Sequence, residues 1–500
     1  MGRRLCVSLM CGAVVASALL SASPPAGAGP ANPWVTTSGV RFVDTRSGHP
    51  IVLRGVDVAA GEDQAIQNRV AALGANFVRV HVCWSQLEPT APSGGTHNWN
   101  QTLLASMAAQ VAWYQAHNIN VLIDLHQFNW SSYFSGRGCG IPGWFYGQLE
   151  EGRYPPSGNG LIQAMHAFYT DPAAISLYTD LAQMVAAHFD SYPAVVGYEV
   201  LNEPYGKNSH AGTQDVISFE AGIRSAFAAV DPTRTVFVMT RYGGDKGLLD
   251  ADFSPFGSRS HLALDYHDYY SGVPGTGMSF DDENWSPDWA ATHLHTTTDY
   301  HGTLAAQQAM LDYPLHKSWD LGIPVLIGEW GARRDDQNGA AYQAQMLSIM
   351  GQEGLSWARW SMSGNDMFGI LTRQGQPTAD FTQLQTALGS TPPAPSTGPS
   401  APGLALSAAG FTRGGAIRLC YRSPLRATQI VLGVRTAGGA RVRTRYLGPA
   451  NAGVLHCEVF KGETASGRHL PAGVYMLRIN AAYAGAGSRF SMWHQVTIRP

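Results

Sequence analysis

The 500-residue sequence has few charged residues and no strong excess of either sign. Charged residues make up 14% of the chain, and 33 basic against 36 acidic side chains leave a formal charge of -3. This balance gives no electrostatic reason to bind nucleic acid, so we expect no nucleic-acid partner. Aromatic residues reach 10%, with 13 Trp, which indicates a folded globular chain.

Long apolar runs are missing beyond the N-terminus. Residues 5–20 are apolar, follow Arg3 and Arg4, and are too short for a typical membrane-spanning helix. The small residues Ala26-Gly27-Ala28 are typical of a signal-peptide cleavage site. We predict a signal peptide over residues 1–28 and a secreted monomer without stable membrane insertion. The paired arginines leave export by a twin-arginine route open.

Cysteine is scarce, and no C-x-x-C spacing indicates zinc. Of six cysteines, two lie in the predicted signal peptide, which leaves an even number in an oxidising compartment. Four cysteines allow three disulfide connectivities. Their positions in the chain favour Cys83 with Cys139 and Cys420 with Cys457.

Apolar segments alternate with helical patterns from residue 33 to residue 388. The predicted strands cover residues 54–57, 76–80, 120–126, 195–203, 235–239, 262–267, 324–329 and 356–360. Predicted helices include residues 62–73, 101–117, 173–189, 218–230 and 340–351. Eight such units predict a (β/α)₈ TIM barrel in the α/β class. A hairpin of residues 40–43 and 51–53 precedes it and is expected to close its lower end.

The composition changes at residue 389. Residues 389–402 are rich in Pro, Ser and Thr and predict a semi-rigid linker. Short strand-like runs between turn residues follow over residues 403–500 and predict a small all-β, immunoglobulin-like sandwich. The sequence leaves open whether this accessory domain binds polysaccharide or acts as a spacer.

Two of the predicted strands end in a glutamate. Glu203 follows an apolar run and precedes Pro204, which cannot continue a strand ladder or a helix. Glu329 ends the run of residues 324–328. Catalytic groups of a TIM barrel lie at the carboxyl ends of its strands, so the two glutamates form a candidate pair. At about 5–5.5 Å apart, they would cleave a glycosidic bond with retention, which requires a raised pKa for the proton donor Glu203.

Other strand-end residues complete a recognisable set. The motifs are Leu201-Asn202-Glu203-Pro204, Arg79 after Phe77-Val78, His267-Asp268-Tyr269, Gly328-Glu329-Trp330 and Trp360 in the last strand. In this order, over residues 40–388, the chain resembles glycoside hydrolase family 5, the cellulase-like retaining glycosidases. The C-terminal domain lies outside the resemblance.

The resemblance implies a role for each matching residue. Glu203 would be the acid/base and Glu329 the nucleophile. Six further side chains would bind substrate or orient the pair: Arg79, His126, Asn202, His267, Tyr269 and Trp360. The family needs no cofactor and its site holds no metal. His126 could equally be a core histidine, and Asp124 and Asp265 could support the residues two positions after them.

Several functions remain open from the sequence. The leading one is a secreted retaining endo-β-glycosidase acting on a β-linked glucan or related polysaccharide. A glycolipid hydrolase resembling endoglycoceramidases is the alternative, and its apolar groove could come from the aromatic loop of residues 127–156.

A second aromatic loop covers residues 269–300. Aromatic residues in both loops could instead pack onto the barrel. An inactive carbohydrate-binding protein is a third possibility, while a lyase or metal-dependent hydrolase lacks the required motifs.

Overall fold

The structure is a computed structural model. It describes residues 30–136, 138–207, 209–240, 248, 251–270, 311, 314–315, 317–318, 321–334, 338–389, 403–423, 426–437, 441–451, 454–464, 467–483, 487–490 and 494–500. The predicted signal peptide, residues 390–402 of the predicted linker and residues 271–300 of the second aromatic loop lie outside these ranges.

The chain begins with a small antiparallel sheet of β1 (Val35–Ser38), β2 (Arg41–Asp44) and β3 (Pro50–Ile51). Phe42 pairs with Ile51, which confirms the predicted hairpin. The Phe42 ring stacks on Phe237 of the barrel at 5.8 Å between centroids. Around this contact, buried side chains from the starts of the barrel strands form one cluster, so the hairpin closes the lower end of the barrel.

Eight parallel strands form a closed barrel, which confirms the predicted fold class. They are β4 (Arg54–Ala59), β5 (Phe77–Cys83), β6 (Asn120–His126), β7 (Val195–Glu199), β8 (Thr235–Val238), β9 (Leu262–Tyr270), β10 (Val325–Ala332) and β11 (Ser356–Arg359). β11 pairs with β4 and closes the ring. The carboxyl ends of all eight strands therefore meet at one rim.

Helices surround the strands. They are α1 (Gln64–Leu73), α2 (Trp84–Leu87), α3 (Gln101–Ala116), α4 (Gly160–Phe168), α5 (Pro172–Phe189), α6 (His210–Val230), α7 (Gly339–Glu353) and α8 (Ala379–Gly389). Side-chain caps define several starts; Asp171 accepts hydrogen bonds from Ala173 and Ala174, ahead of Pro172 at the first turn. The helix predicted over residues 218–230 begins earlier, at His210, because Ser209 caps it by accepting from the Gly212 amide.

The C-terminal residues form two antiparallel-rich sheets. Their strands are β12 (Gly403–Leu406), β13 (Gly410–Thr412), β14 (Ile417–Arg422), β15 (Ala427–Thr436), β16 (Arg441–Ala450), β17 (Leu455–Phe460), β18 (Gly473–Tyr483), β19 (Gly487–Phe490) and β20 (His494–Arg499). One sheet has the order β12-β14-β17 and the other the order β13-β20-β18-β15-β16, with β19 on β18. Buried side chains from both sheets form one core, as expected of a sandwich.

Two disulfides join the predicted pairs. Cys83 of β5 bonds to Cys139 in the following loop, and Cys420 of β14 bonds to Cys457 of β17. Both bonds are consistent with folding in an oxidising compartment. Within the described part of the chain, no helix combines the length and apolarity needed to cross a bilayer.

Candidate active site

Glu203 lies on the rim of the barrel, four residues beyond the end of β7. The amide of Gln127 holds this segment, since its Nε2 donates to the carbonyl oxygens of Asn202 at 3.1 Å and Glu203 at 2.9 Å. Glu203 has a φ of 39°, a left-handed conformation that is unfavourable for a side chain other than glycine. The two hydrogen bonds from Gln127 hold this strained backbone in place, together with Pro204, the next residue after Glu203.

Glu329 lies inside β10 and is only 4% exposed. Its Oε1 accepts from Arg79 Nη1 at 2.7 Å, and its Oε2 accepts from the Tyr269 hydroxyl at 2.6 Å. Burial raises the pKa of Glu329 to about 7, and the charge of Glu203 acts in the same direction. His267, Arg79 and the Tyr269 hydrogen bond lower that pKa. Two strong donors therefore favour the ionised form, although burial opposes it.

The guanidinium of Arg79 is fully buried and connects several strands. Its contacts within 3.1 Å are Glu199 (2.7 and 2.8 Å), Glu329 (2.7 Å), Asn202 (2.8 Å), Asp57 (2.9 Å) and Asp124 (3.1 Å). The pair with Glu199 is bidentate, which fixes the plane of the guanidinium. One cation therefore orients the nucleophile candidate and the Asn202 amide at the same time.

Carboxyl groups around Arg79 outnumber its single charge. Burial raises the pKa of Asp124 to about 7, and it holds the pKa values of Asp57 and Asp265 well above their ordinary range despite the nearby guanidinium. The charges of neighbouring carboxylates act in the same direction. Burial therefore favours the neutral acid form of these carboxyl groups, because several negative charges that close together in a buried site repel one another.

His267 connects the two glutamates. Its Nδ1 lies 2.9 Å from Glu203 Oε1 and 3.5 Å from Glu329 Oε2. Burial lowers the pKa of His267 to about 4, so the ring is neutral at physiological pH. A neutral ring with its hydrogen on Nδ1 donates to Glu203 and positions that carboxyl group against Glu329.

Trp360 and His126 form an aromatic pair on the same rim. Their rings stack at 5.3 Å with an interplanar angle of 10°, and the tilted ring of His81 lies 4.9 Å from Trp360. Trp360 Nε1 donates to Asp366 at 2.7 Å, and His126 Nδ1 lies 2.7 Å from Asp124. Both rings are thus fixed by polar partners as well as by stacking.

All eight residues predicted from the sequence to be catalytic or substrate-binding meet at this rim. Three other contributors were missed: Glu199, Asp57 and Gln127. A signal existed for Glu199, which interrupts an apolar strand and therefore needed a buried partner such as Arg79. Asp124 contacts the residue two positions after it, since its Oδ2 lies 2.7 Å from His126 Nδ1. Asp265 lies 4.0 Å from His267 and instead accepts a hydrogen bond from the Gly328 amide, next to Glu329.

Four aromatic rings of the loop of residues 127–156 are buried in the protein core. Trp130, Trp144, Phe145 and Tyr146 are at most 6% exposed and belong to the main core. Trp130 Nε1 donates to the Tyr146 hydroxyl at 2.7 Å. These four rings pack the loop onto the barrel, which is one of the two possibilities that the sequence left open. Trp285 and Trp289 of the second loop lie outside the described residues.

Two overlapping sets of side chains in the described part of the chain have ligand atoms within 4.8 Å of one another. The sets are Glu199 with Asp265 and His267, and Glu203 with His267 and Glu329. Arg79 contacts Glu199, Glu329 and Asp265, so positive charge already occupies this position. We assign neither set to a metal.

Comparison with known proteins gives one family match. Residues 44–366 match the family described as cellulase, glycosyl hydrolase family 5. No curated protein gives a significant match.

Solved structures with a TM-score above 0.5 share the fold at low sequence identity. Endo-glycoceramidase II from Rhodococcus sp., in complex with a five-membered iminocyclitol, is 20% identical with a TM-score of 0.53, over 84% of this chain and 99% of that chain. An endogalactoceramidase is 18% identical with a TM-score of 0.56, over 86% and 100%. An endocellulase from the archaeon Pyrococcus horikoshii is 17% identical with a TM-score of 0.49, over 72% and 100%.

Proposed function

The chain belongs to glycosyl hydrolase family 5 and hydrolyses glycosidic bonds, and we propose that it does so by double displacement through Glu203 and Glu329. The distance between the two carboxyl groups carries this proposal. One oxygen of Glu203 lies within 4.8 Å of one oxygen of Glu329, which fits the separation of about 5–5.5 Å in retaining glycosidases better than the separation of about 6.5–9.5 Å in inverting ones.

Glu329 is the nucleophile in this mechanism. Its buried carboxylate attacks the anomeric carbon, the bond to the leaving oxygen breaks, and a glycosyl-enzyme ester forms. Arg79 and Tyr269 stabilise the ionised form and hold one oxygen each. These two contacts fix the orientation of the carboxylate, which lowers the entropic cost of the attack.

Glu203 is the acid/base. It protonates the leaving oxygen in the first step and removes a proton from water in the second. Its side chain is 18% exposed, more than the 6% of Glu329, so water and a leaving group can reach it. His267 holds the Glu203 carboxyl group in position, since its Nδ1 lies 2.9 Å from Glu203 Oε1.

The remaining rim residues bind the sugar. Asn202 Oδ1 accepts from Arg79 and its Nδ2 donates to the Gln127 carbonyl, which leaves a second amide hydrogen for the sugar 2-hydroxyl. Trp360 provides an aromatic face for the sugar ring, and His126 supports it from one side.

The substrate is a β-linked glycoside of one of two classes. The first is a glucan or related polysaccharide, which the motifs favour. The second is a glycolipid, which the extent of the structural match favours. The endo-glycoceramidase II match covers 84% of 500 residues, or 420, which exceeds the 402 residues that precede the sandwich and so includes part of it. We further propose that the protein is secreted, which its two disulfides support.

The test is hydrolysis of β-glucans, mannan, xylan and glycosphingolipids by the mature protein, with product configuration followed by NMR. Glu203→Gln and Glu329→Gln should each abolish activity, while the exposed Glu151→Gln should match the wild type. Glu203→Ala should still cleave aryl glycosides whose leaving group needs no proton, and azide should then release a β-glycosyl azide. Inverted products, or full activity in either active-site variant, would disprove the mechanism.

A further inference from the structure

The whole chain is close to neutral, but positive and negative charges are unevenly distributed along it. Residues 403–500 contain 13 Lys and Arg but only two acidic residues, Glu458 and Glu463, which gives a formal charge of +11. The preceding 402 residues carry -14. Twelve of the 13 basic residues are arginine. An excess of this size on a domain of about a hundred residues points to an anionic partner.

One outer face of the sandwich combines this charge with exposed apolar side chains. Arg418 and Arg422 alternate with buried residues along β14 and point outward. In the register with β17, Arg418 lies opposite Val459 and Arg422 lies opposite Leu455, so the four share one face. Val459 is 52% exposed and Leu455 is 56% exposed. We call these four residues the basic-apolar face.

The face is built rigidly. The disulfide between Cys420 and Cys457 lies between its two cross-strand pairs and ties β14 to β17. The neighbouring acid Glu458 alternates to the other side of β17, where Arg445 contacts it at 3.0 Å. No carboxylate on either strand therefore offsets the charge of Arg418 and Arg422 on this face.

We propose that the basic-apolar face docks the protein onto an anionic lipid membrane. The arginines contact lipid phosphate groups, and Leu455 and Val459 enter the boundary between headgroups and acyl chains. A soluble polyanion would use the arginines alone and would give no reason to expose two aliphatic side chains beside them on the neighbouring strand. The combination of both features favours a lipid surface, and the binding is peripheral.

The test is co-sedimentation of the mature full-length protein with vesicles. Vesicles of phosphatidylcholine mixed with phosphatidylglycerol should bind it, and phosphatidylcholine vesicles should not. Arg418→Gln with Arg422→Gln should weaken binding by about fivefold per arginine, the equivalent of about 1 kcal/mol each. Leu455→Thr with Val459→Thr should weaken it by a similar factor. The vesicles contain no glycoside, so the outcome does not depend on the proposed catalytic mechanism.

A matched control removes the same charge elsewhere. Arg413 and Arg499 are exposed on the other sheet, so their double Gln variant should change binding less than about twofold, because charges beyond a screening length of about 8 Å contribute little. Hydrolysis of a soluble aryl glycoside and the melting temperature report folding of every variant.

Three outcomes would overturn the proposal. They are failure to bind anionic vesicles, equal losses in the control variant, and unchanged binding after the Leu455 and Val459 substitutions. In the last case, retained binding to dextran sulfate would identify a soluble polyanion as the partner.

Discussion

Replacing Tyr269 by Phe tests the nucleophile assignment through a single hydrogen bond. The Tyr269 hydroxyl donates to Glu329 Oε2 at 2.6 Å, while its ring packs edge-on against Phe368 at 5.0 Å. Phe keeps the ring and removes only the donor. The other close donor to Glu329 is Arg79, on the opposite oxygen.

The size of the effect follows from the contact. A hydrogen bond to a charged group contributes about 1.5–3 kcal/mol, so its loss should reduce kcat/KM by about 10- to 150-fold. The same energy corresponds to about one to two pKa units. The Tyr269 bond lowers the pKa of Glu329, which burial places at about 7, so the variant should raise it further.

The sign of the pH dependence follows from the required protonation state. Glu329 attacks only when ionised, so activity is present above its pKa and is lost as the pH falls through it. In Tyr269→Phe the acidic limb of kcat/KM against pH should therefore move to higher pH. Tyr178→Phe removes a buried hydroxyl that donates to the Val200 carbonyl at 2.8 Å, and it should leave the limb in place. An acidic limb that stays fixed or moves to lower pH in Tyr269→Phe would refute the assignment.

Three further predictions follow from buried groups. Asp265→Asn should keep activity within about tenfold, because burial already favours the neutral acid; a loss of several hundredfold would instead show that an ionised Asp265 supports His267. Replacing Cys420 and Cys457, 37 residues apart, by Ala should destabilise the sandwich by about 4 kcal/mol in urea unfolding, and a loss below about 1 kcal/mol would argue against the entropic account. Phe237→Ala should cost about 3–5 kcal/mol of stability with kcat unchanged below the melting temperature, and a selective loss of kcat would contradict its placement at the lower end.

The barrel was readable from the sequence because its strands are buried apolar runs that end in polar residues. The strand predicted over residues 120–126 agrees residue for residue with β6, and both disulfide pairs were predicted. The strand expected to reach Glu203 ends at Glu199 instead. Glu203 lies four residues further along the following loop, at the rim. The position of this loop depends on the hydrogen bonds from Gln127, which the local sequence pattern does not reveal.

Contacts between residues that are far apart in the sequence could not be predicted from it. Glu199 and Asp57 belong to the site through Arg79, which is 120 and 22 residues away from them. The rings of Trp130 and Tyr146 looked equally suited to a groove and to a core, because aromatic residues serve both. Only packing distinguishes the two, and it places both rings in the core.

The contacts of Arg79 make the interior of the barrel behave as one polyprotic acid. Carboxyl groups from β4, β6, β7 and β10 all contact the Arg79 guanidinium. When Asp124 gains a proton, the free energy of ionising Glu329 therefore changes as well. The working pH is therefore a collective property of the buried carboxyl groups. Engineers who wish to change it should leave that group intact and alter the more accessible contact between Glu203 and His267.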